Sequence, residues 1–181
     1  LIVDEAHAIG VLGEGGGVCK ALGVKPDILT GTLSKALGSY GGFVACSRET
    51  RELLINRSRS FIYSTGLPPA STAAAMEAVL IILEDPGMCE LLLDKAKNFR
   101  NALKETGANV MNSTTQVIPA VVGTPEKALE ISSALAHEGI DARAIRPPTV
   151  PPGTSRIRFS VTLAHSDGDL DRTSGLLGEL L

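Results

Sequence analysis

No block of basic residues occurs anywhere in the chain, whose 17 Lys and Arg are scattered among 20 Asp and Glu for a formal charge of −3. Binding a phosphate backbone needs a concentrated positive face, so nucleic acid is not an expected partner. Cysteine is sparse too: Cys19, Cys46 and Cys89 are odd in number, far apart and without a CxxC pair. That disfavours a disulfide framework and a zinc site, and makes a reducing cytoplasm the expected setting. Long apolar runs are missing. The most apolar stretch, residues 73–83, is interrupted by Glu77 and falls short of the roughly 20 residues that a membrane-spanning helix requires. No cationic-then-apolar leader is read at the start, and no membrane partner is expected. There is no internal repeat and no low-complexity tract.

What is present is a globular composition. At 181 residues and 44% hydrophobic, the chain can bury a core as one domain or two small ones. Leu1-Ile2-Val3 reads as a buried strand with no initiator Met, turn or cap before it, so the chain is expected to be a fragment. Residues 1–3, 27–32 and 42–46 read as strands, each followed by a polar or Gly-rich turn, and a mainly parallel sheet is expected. Residues 48–56 and 70–84 read as helices, the second opening after Pro68-Pro69. Together they form an α/β layer.

Met88, Leu92, Ala96, Phe99 and Leu103 recur at helical spacing and predict an amphipathic helix that could bridge two domains. Beyond it, residues 116–122 read as a strand. Thr124 can cap a helix whose first residue is Pro125, with Ala128, Ile131 and Leu135 on its inner face. In residues 156–162, Ile157, Phe159 and Val161 alternate with Arg156, Arg158, Ser160 and Thr162, the pattern of a half-buried strand. A helix over 167–181 ends the chain. The expected division is a partial large domain over 1–86 and a small α+β domain over 87–181.

The densest chemical signal is Thr32-Leu33-Ser34-Lys35-Ala36-Leu37-Gly38, a strand end running into a small-residue turn with one lysine. A desolvated lysine is a useful nucleophile, and the neighbouring hydroxyls, Thr32 and Ser34, and backbone N–H groups could hold a phosphate. Most lysines in turns are simply solvated. The second signal is Asp4-Glu5-Ala6-His7, where Asp4 ends a buried strand. Ligands of open α/β sheets gather at the carboxyl ends of strands, where Asp4 and Lys35 both belong. An aspartate there can keep a pyridine nitrogen protonated, as a pyridoxal cofactor requires. The plainer alternatives are a helix cap for Asp4 and a hydrogen-bonded core residue for His7.

Asp4-Glu5-Ala6-His7, Gly10, Gly13-Glu14, Thr32-Leu33-Ser34-Lys35 and Gly41-Gly42 together resemble the α-oxoamine synthases, a family of fold-type I pyridoxal-phosphate enzymes. Phe61-Ile62-Tyr63-Ser64-Thr65 with Leu67-Pro68-Pro69 looks like that family's phosphate-contacting loop, although Gly66 stands where several relatives have Ser or Ala. The resemblance covers essentially the whole chain and implies the C-terminal part of a fold-type I transferase. It implies Lys35 as the Schiff-base lysine, Asp4 on the pyridine nitrogen and His7 at the cofactor's phenolic oxygen. Thr32 would be a phosphate ligand, and Thr65 one that reaches the neighbouring subunit's cofactor in a homodimer.

Residues 144–151, Ala-Ile-Arg-Pro-Pro-Thr-Val-Pro, are most similar to the branch that joins L-alanine to a pimeloyl thioester, carried by coenzyme A or a carrier protein, in biotin synthesis. Another branch, such as the glycine acetyltransferases, is the alternative. By the same resemblance Thr149 contacts substrate and Arg158 holds the amino-acid carboxylate, with Arg146 a second candidate. A guanidinium can grip a carboxylate through two parallel hydrogen bonds. His165 is expected to make a structural hydrogen bond and His137 to be solvated.

Leu1–His7 also resembles the second motif of DEAH-type helicases. That reading needs a Ser-Ala-Thr step and a basic strand-binding surface, and the sequence has neither. A non-catalytic interaction domain, the third reading, predicts no cofactor chemistry. If the chain is a fragment of a synthase, it should be inactive alone.

Overall fold

The computed structural model describes residues 1–181 as two compact units, Leu1–Glu90 and Leu91–Leu181. The division falls inside a helix, four residues beyond the expected 86/87 boundary.

In the first unit β1 (Ile2–Asp4), β2 (Ile28–Thr32) and β3 (Gly42–Cys46) form a sheet in the order β1-β2-β3. β1 and β2 are parallel, with Asp4 opposite Thr30. β3 runs antiparallel to β2, an antiparallel neighbour beside the parallel pair. The reason is length: only residues 33–41 separate the two strands. A parallel crossover takes a dozen or more residues, whereas a short loop returns the chain antiparallel.

A four-residue helix, α1 (Val18–Ala21), follows the glycine-rich turn after β1. After β3 come α2 (Arg48–Arg57), the short α3 (Arg59–Ile62) and α4 (Pro69–Glu84). Ser47 caps α2 by accepting a hydrogen bond from the Thr50 N–H at 3.2 Å. α4 starts on Pro at its first position, where no N–H is needed. It is apolar on nearly all sides, burying Ala75 and exposing Met76, Leu80 and Leu83. An open groove of about 710 Å³ runs along it, lined by Leu33, Leu37, Phe43, Val79 and Ile82 among others.

α5 (Gly87–Glu105) carries the chain from one unit into the next. The second unit adds β4 (Val117–Gly123), α6 (Pro125–His137), β5 (Arg143–Ile145), β6 (Ser155–Ser160) and α7 (Asp167–Leu180). Its sheet has the order β4-β6-β5 and is antiparallel throughout. The α5 residues Ala96, Phe99 and Leu103 share one core with Ile118, Ile131, Leu135, Ile157, Phe159 and Leu177. Each fully buried Leu or Ile contributes about 1.5–3 kcal/mol, enough in sum to make this the stable centre of the unit. The Phe99 and Phe159 rings meet edge to face at 5.3 Å.

Alternation along β6 sends Arg158 to the opposite side, into solvent. It stands between Pro119 of β4 and Arg143 of β5, so two guanidinium-bearing residues face each other across the strands.

No helix is long and apolar enough to cross a membrane.

Candidate functional site

Because β1 and β2 are parallel, Asp4 and Thr32 emerge at the same edge of the sheet. After Asp4 the chain turns at once, with the Ala8 and Ile9 N–H groups donating to the Glu5 carbonyl at 2.8 and 3.0 Å. His7 is exposed on this turn. The Asp4 carboxylate is also exposed, and its Oδ1 accepts from the Ala6 N–H at 2.8 Å. That bond fixes the side chain through one oxygen.

Glu5 turns the other way and is 1% exposed. Its two oxygens accept from the Val18 and Cys19 N–H groups at 2.8 and 2.7 Å, which ties β1 to the start of α1. Burial pushes its pKa up, but the hydrogen bonds from Cys19 and Val18 together outweigh this and leave the pKa below its ordinary value. The Cys19 thiol is raised by its hydrogen bond to Glu5 and by burial. The synthase resemblance assigned Glu5 no role. An acid whose partners lie 13 and 14 residues away leaves no local pattern to read.

Residues 33–41 form a closed loop. The Leu33 N–H and the Thr32 hydroxyl both donate to the Gly41 carbonyl, at 2.9 and 3.1 Å, and the Ser39 N–H donates to the Leu33 carbonyl at 2.8 Å. Lys35 opens a turn at the loop's tip, its carbonyl accepting from the Gly38 N–H at 3.0 Å. Leu37 is buried and anchors the loop, while the Lys35 and Ser34 side chains are exposed. The Thr32 and Ser34 hydroxyls lie 2.7 Å apart.

Two glycines bring this loop against its neighbours. A Cβ on Gly10 would stand 2.6 Å from the Ala36 Cβ, and Gly10 has φ +76°. The Asp4–His7 turn and the lysine loop therefore touch where a side chain would hold them apart. Gly41 has φ +110°, and a Cβ there would lie 2.7 Å from Leu67. Leu67 belongs to the segment that carries Thr65. Phe61 and Ile62 of the expected phosphate-contacting stretch end the helical turn α3, and the exposed Thr65 lies in the loop that follows it.

Five of the expected cofactor residues, Asp4, His7, Thr32, Ser34 and Lys35, are thus gathered at one edge of the sheet, with Thr65 linked through Leu67. A primary amine, a carboxylate and a group of hydroxyls make up the donor set that a phosphorylated pyridine aldehyde needs. The amine can form an imine, the carboxylate can pair with the ring nitrogen, and the hydroxyls can bond the phosphate. The residues present fit that group. No three His, Cys, Asp or Glu side chains converge as metal ligands would.

The expected substrate residues belong to the second unit. Arg146 and Thr149 share one turn, the Thr149 N–H donating to the Arg146 carbonyl at 3.0 Å, and both are exposed. Arg158 is exposed on β6 beside Arg143, whose guanidinium pairs with Asp141 at 3.0 Å. His165 Nδ1 accepts from the Thr162 N–H at 3.1 Å, the structural hydrogen bond expected of it. His137 ends α6 in solvent.

The profile of the family described as aminotransferase class I and II matches residues 1–174. Among curated proteins, the 8-amino-7-oxononanoate synthase of Geobacter sulfurreducens is 45% identical over 185 residues, spanning 99% of this chain and 47% of that protein. The 8-amino-7-oxononanoate synthase 2 of Bacillus subtilis is 47% identical over 172 residues, 94% of this chain and 44% of that protein. The chain spans about half the length of the curated relatives it matches. Among solved structures, SPT with PLP internal aldimine superposes with a TM-score of 0.91 at 28% identity, over 99% of this chain and 46% of that one.

Proposed function

Because the chain belongs to the aminotransferase class I and II family, we propose that it is the lysine-bearing part of a pyridoxal-phosphate-dependent C-acyltransferase, an 8-amino-7-oxononanoate synthase. The reaction is the condensation of L-alanine with a pimeloyl thioester, with loss of carbon dioxide and the acyl carrier, coenzyme A or a carrier protein. The observation that carries the reading is the contact of Ala36 with Gly10, which packs the Lys35 loop against the turn bearing Asp4 and His7.

In this reading Lys35 would hold the cofactor through Nζ, and its amine, when free, would take the alanine α-proton. Asp4 keeps a proton on the ring nitrogen, and His7 reaches the ring oxygen. Ser34 and Thr65 would donate hydroxyls toward the phosphate, Thr65 toward that of the neighbouring subunit in a homodimer, and Thr32 would join them by turning its hydroxyl from the Gly41 carbonyl. Arg158 would grip the amino-acid carboxylate through two parallel hydrogen bonds and so orient the substrate. Arg146 and Thr149 line the substrate loop. Pyridoxal phosphate, when bound, supplies the electron sink for charge left at the α-carbon. The setting is the reducing cytoplasm, in keeping with three free cysteines.

The test is a product assay on the protein that carries this chain. Formation of 8-amino-7-oxononanoate from alanine and pimeloyl thioester is expected. Turnover of glycine with acetyl-coenzyme A in its place would overturn the substrate assignment.

A further inference from the structure

We propose that Ser39 is a positioning residue for Lys35, clasping the lysine loop to the first turn of α4; the proposal rests on the role given to Lys35 above. The Ser39 hydroxyl donates to the Ser71 carbonyl at 2.6 Å, across 32 residues of sequence. Both groups are partly buried, so water competes with the bond only weakly. Ser71 is the third residue of α4, and its carbonyl has a second lone pair beyond the one its helix uses.

The clasp matters because of how the rest of the loop is held. Leu37 anchors it by burial, which fixes no direction, and its remaining hydrogen bonds, from Leu33, Thr32 and the Ser39 N–H, close the loop on itself and tie it to no helix. Ala36 against Gly10 stops it on the outward limb, and Leu67 against Gly41 on the returning limb. These are contacts that resist approach and do little against separation. Ser39 supplies the directional attraction, and it acts on the segment that leads from Thr65 into α4. The amine of Lys35 and the hydroxyl of Thr65 are thereby referred to one helix end. A shift of about 1 Å in such an arrangement is enough to lower a reaction rate a hundredfold.

The experiment compares Ser39→Ala, which removes the hydroxyl, with Ser39→Thr, which keeps it, in the whole protein. Without cofactor, amide exchange across residues 33–41 should quicken about fivefold in Ser39→Ala, the factor expected for one hydrogen bond, and return toward the starting rate in Ser39→Thr. With pyridoxal phosphate added, the pH midpoint of the Lys35 imine absorption should move and kcat should fall, while KM for the thioester holds. Unchanged exchange in Ser39→Ala would overturn the clasp. Quicker exchange with an unmoved imine titration and unchanged kcat would overturn its link to Lys35. Failure of the unsubstituted protein to form any imine on Lys35 would remove the functional reading and Ser39's role with it, and the exchange result would still report separately on the clasp.

Discussion

The side chain of Ala36 fills the space that a side chain on Gly10 would need, with 2.6 Å between the two Cβ positions. Gly10→Ala should therefore do two things at once. It strains a left-handed backbone by about 1–2 kcal/mol and drives the lysine loop away from the Asp4–His7 turn. Adding Ala36→Gly relieves the collision and not the strain, so the double variant should recover part of the lost stability and most of the labelling of Lys35 by pyridoxal phosphate and borohydride. Denaturant unfolding and a peptide map measure the two separately. Additive losses in the double variant would contradict the contact.

Glu5 gives a pH signature. Its pKa is lowered in the folded protein from an ordinary 4.5, so it adds stability that is fully present above that pH and lost as the pH falls through the folded value. Glu5→Gln should cost about 1.5–3 kcal/mol at pH 7, where two charge-assisted bonds are weakened. The gap between the two proteins should narrow below pH 4.5, as the native carboxyl protonates and comes to resemble the amide. A gap that stays constant down to pH 3 would mean that the carboxylate's charge is not what holds α1.

Asp4→Asn keeps the side-chain shape and the acceptor for the Ala6 N–H. It should leave pyridoxal phosphate bound but slow exchange of the alanine α-proton on the order of a hundredfold, since a neutral amide does not stabilise a protonated ring. Proton exchange followed by NMR decides it, and an unchanged rate would remove Asp4 from the chemistry.

Arg158→Lys keeps the charge and loses the two-pronged grip. KM for alanine should rise about tenfold, with KM for the thioester unchanged. Arg146→Lys should move it less. The reverse order would transfer the carboxylate to Arg146.

Much of the second unit was legible because its pattern is local. Ile157 and Phe159 alternate with exposed Arg158 and Ser160 as the sequence predicts, and Thr124 accepts from the Lys127 N–H at the start of α6. The same holds for Ala96, Phe99 and Leu103 on α5. In the first unit the motif residues were legible and their supports were not. Glu5 is buried by partners on α1, and Ser39 finds Ser71 on another element, neither of which periodicity can register. The direction of β3 was readable from the shortness of the loop before it. Strand composition alone does not distinguish parallel from antiparallel pairing.

The facing of Arg143 and Arg158 across β5 and β6 bears on the choice of buffer. Like charges set opposite one another on a sheet repel, and any doubly charged oxyanion lying against them relieves that repulsion. Sulfate or phosphate should accordingly raise the melting temperature of this unit more than chloride at equal ionic strength. The same ions would crowd the place proposed for alanine's carboxylate, so kinetics taken in a phosphate buffer would understate the affinity for amino acid, and a zwitterionic buffer is the medium in which to measure it.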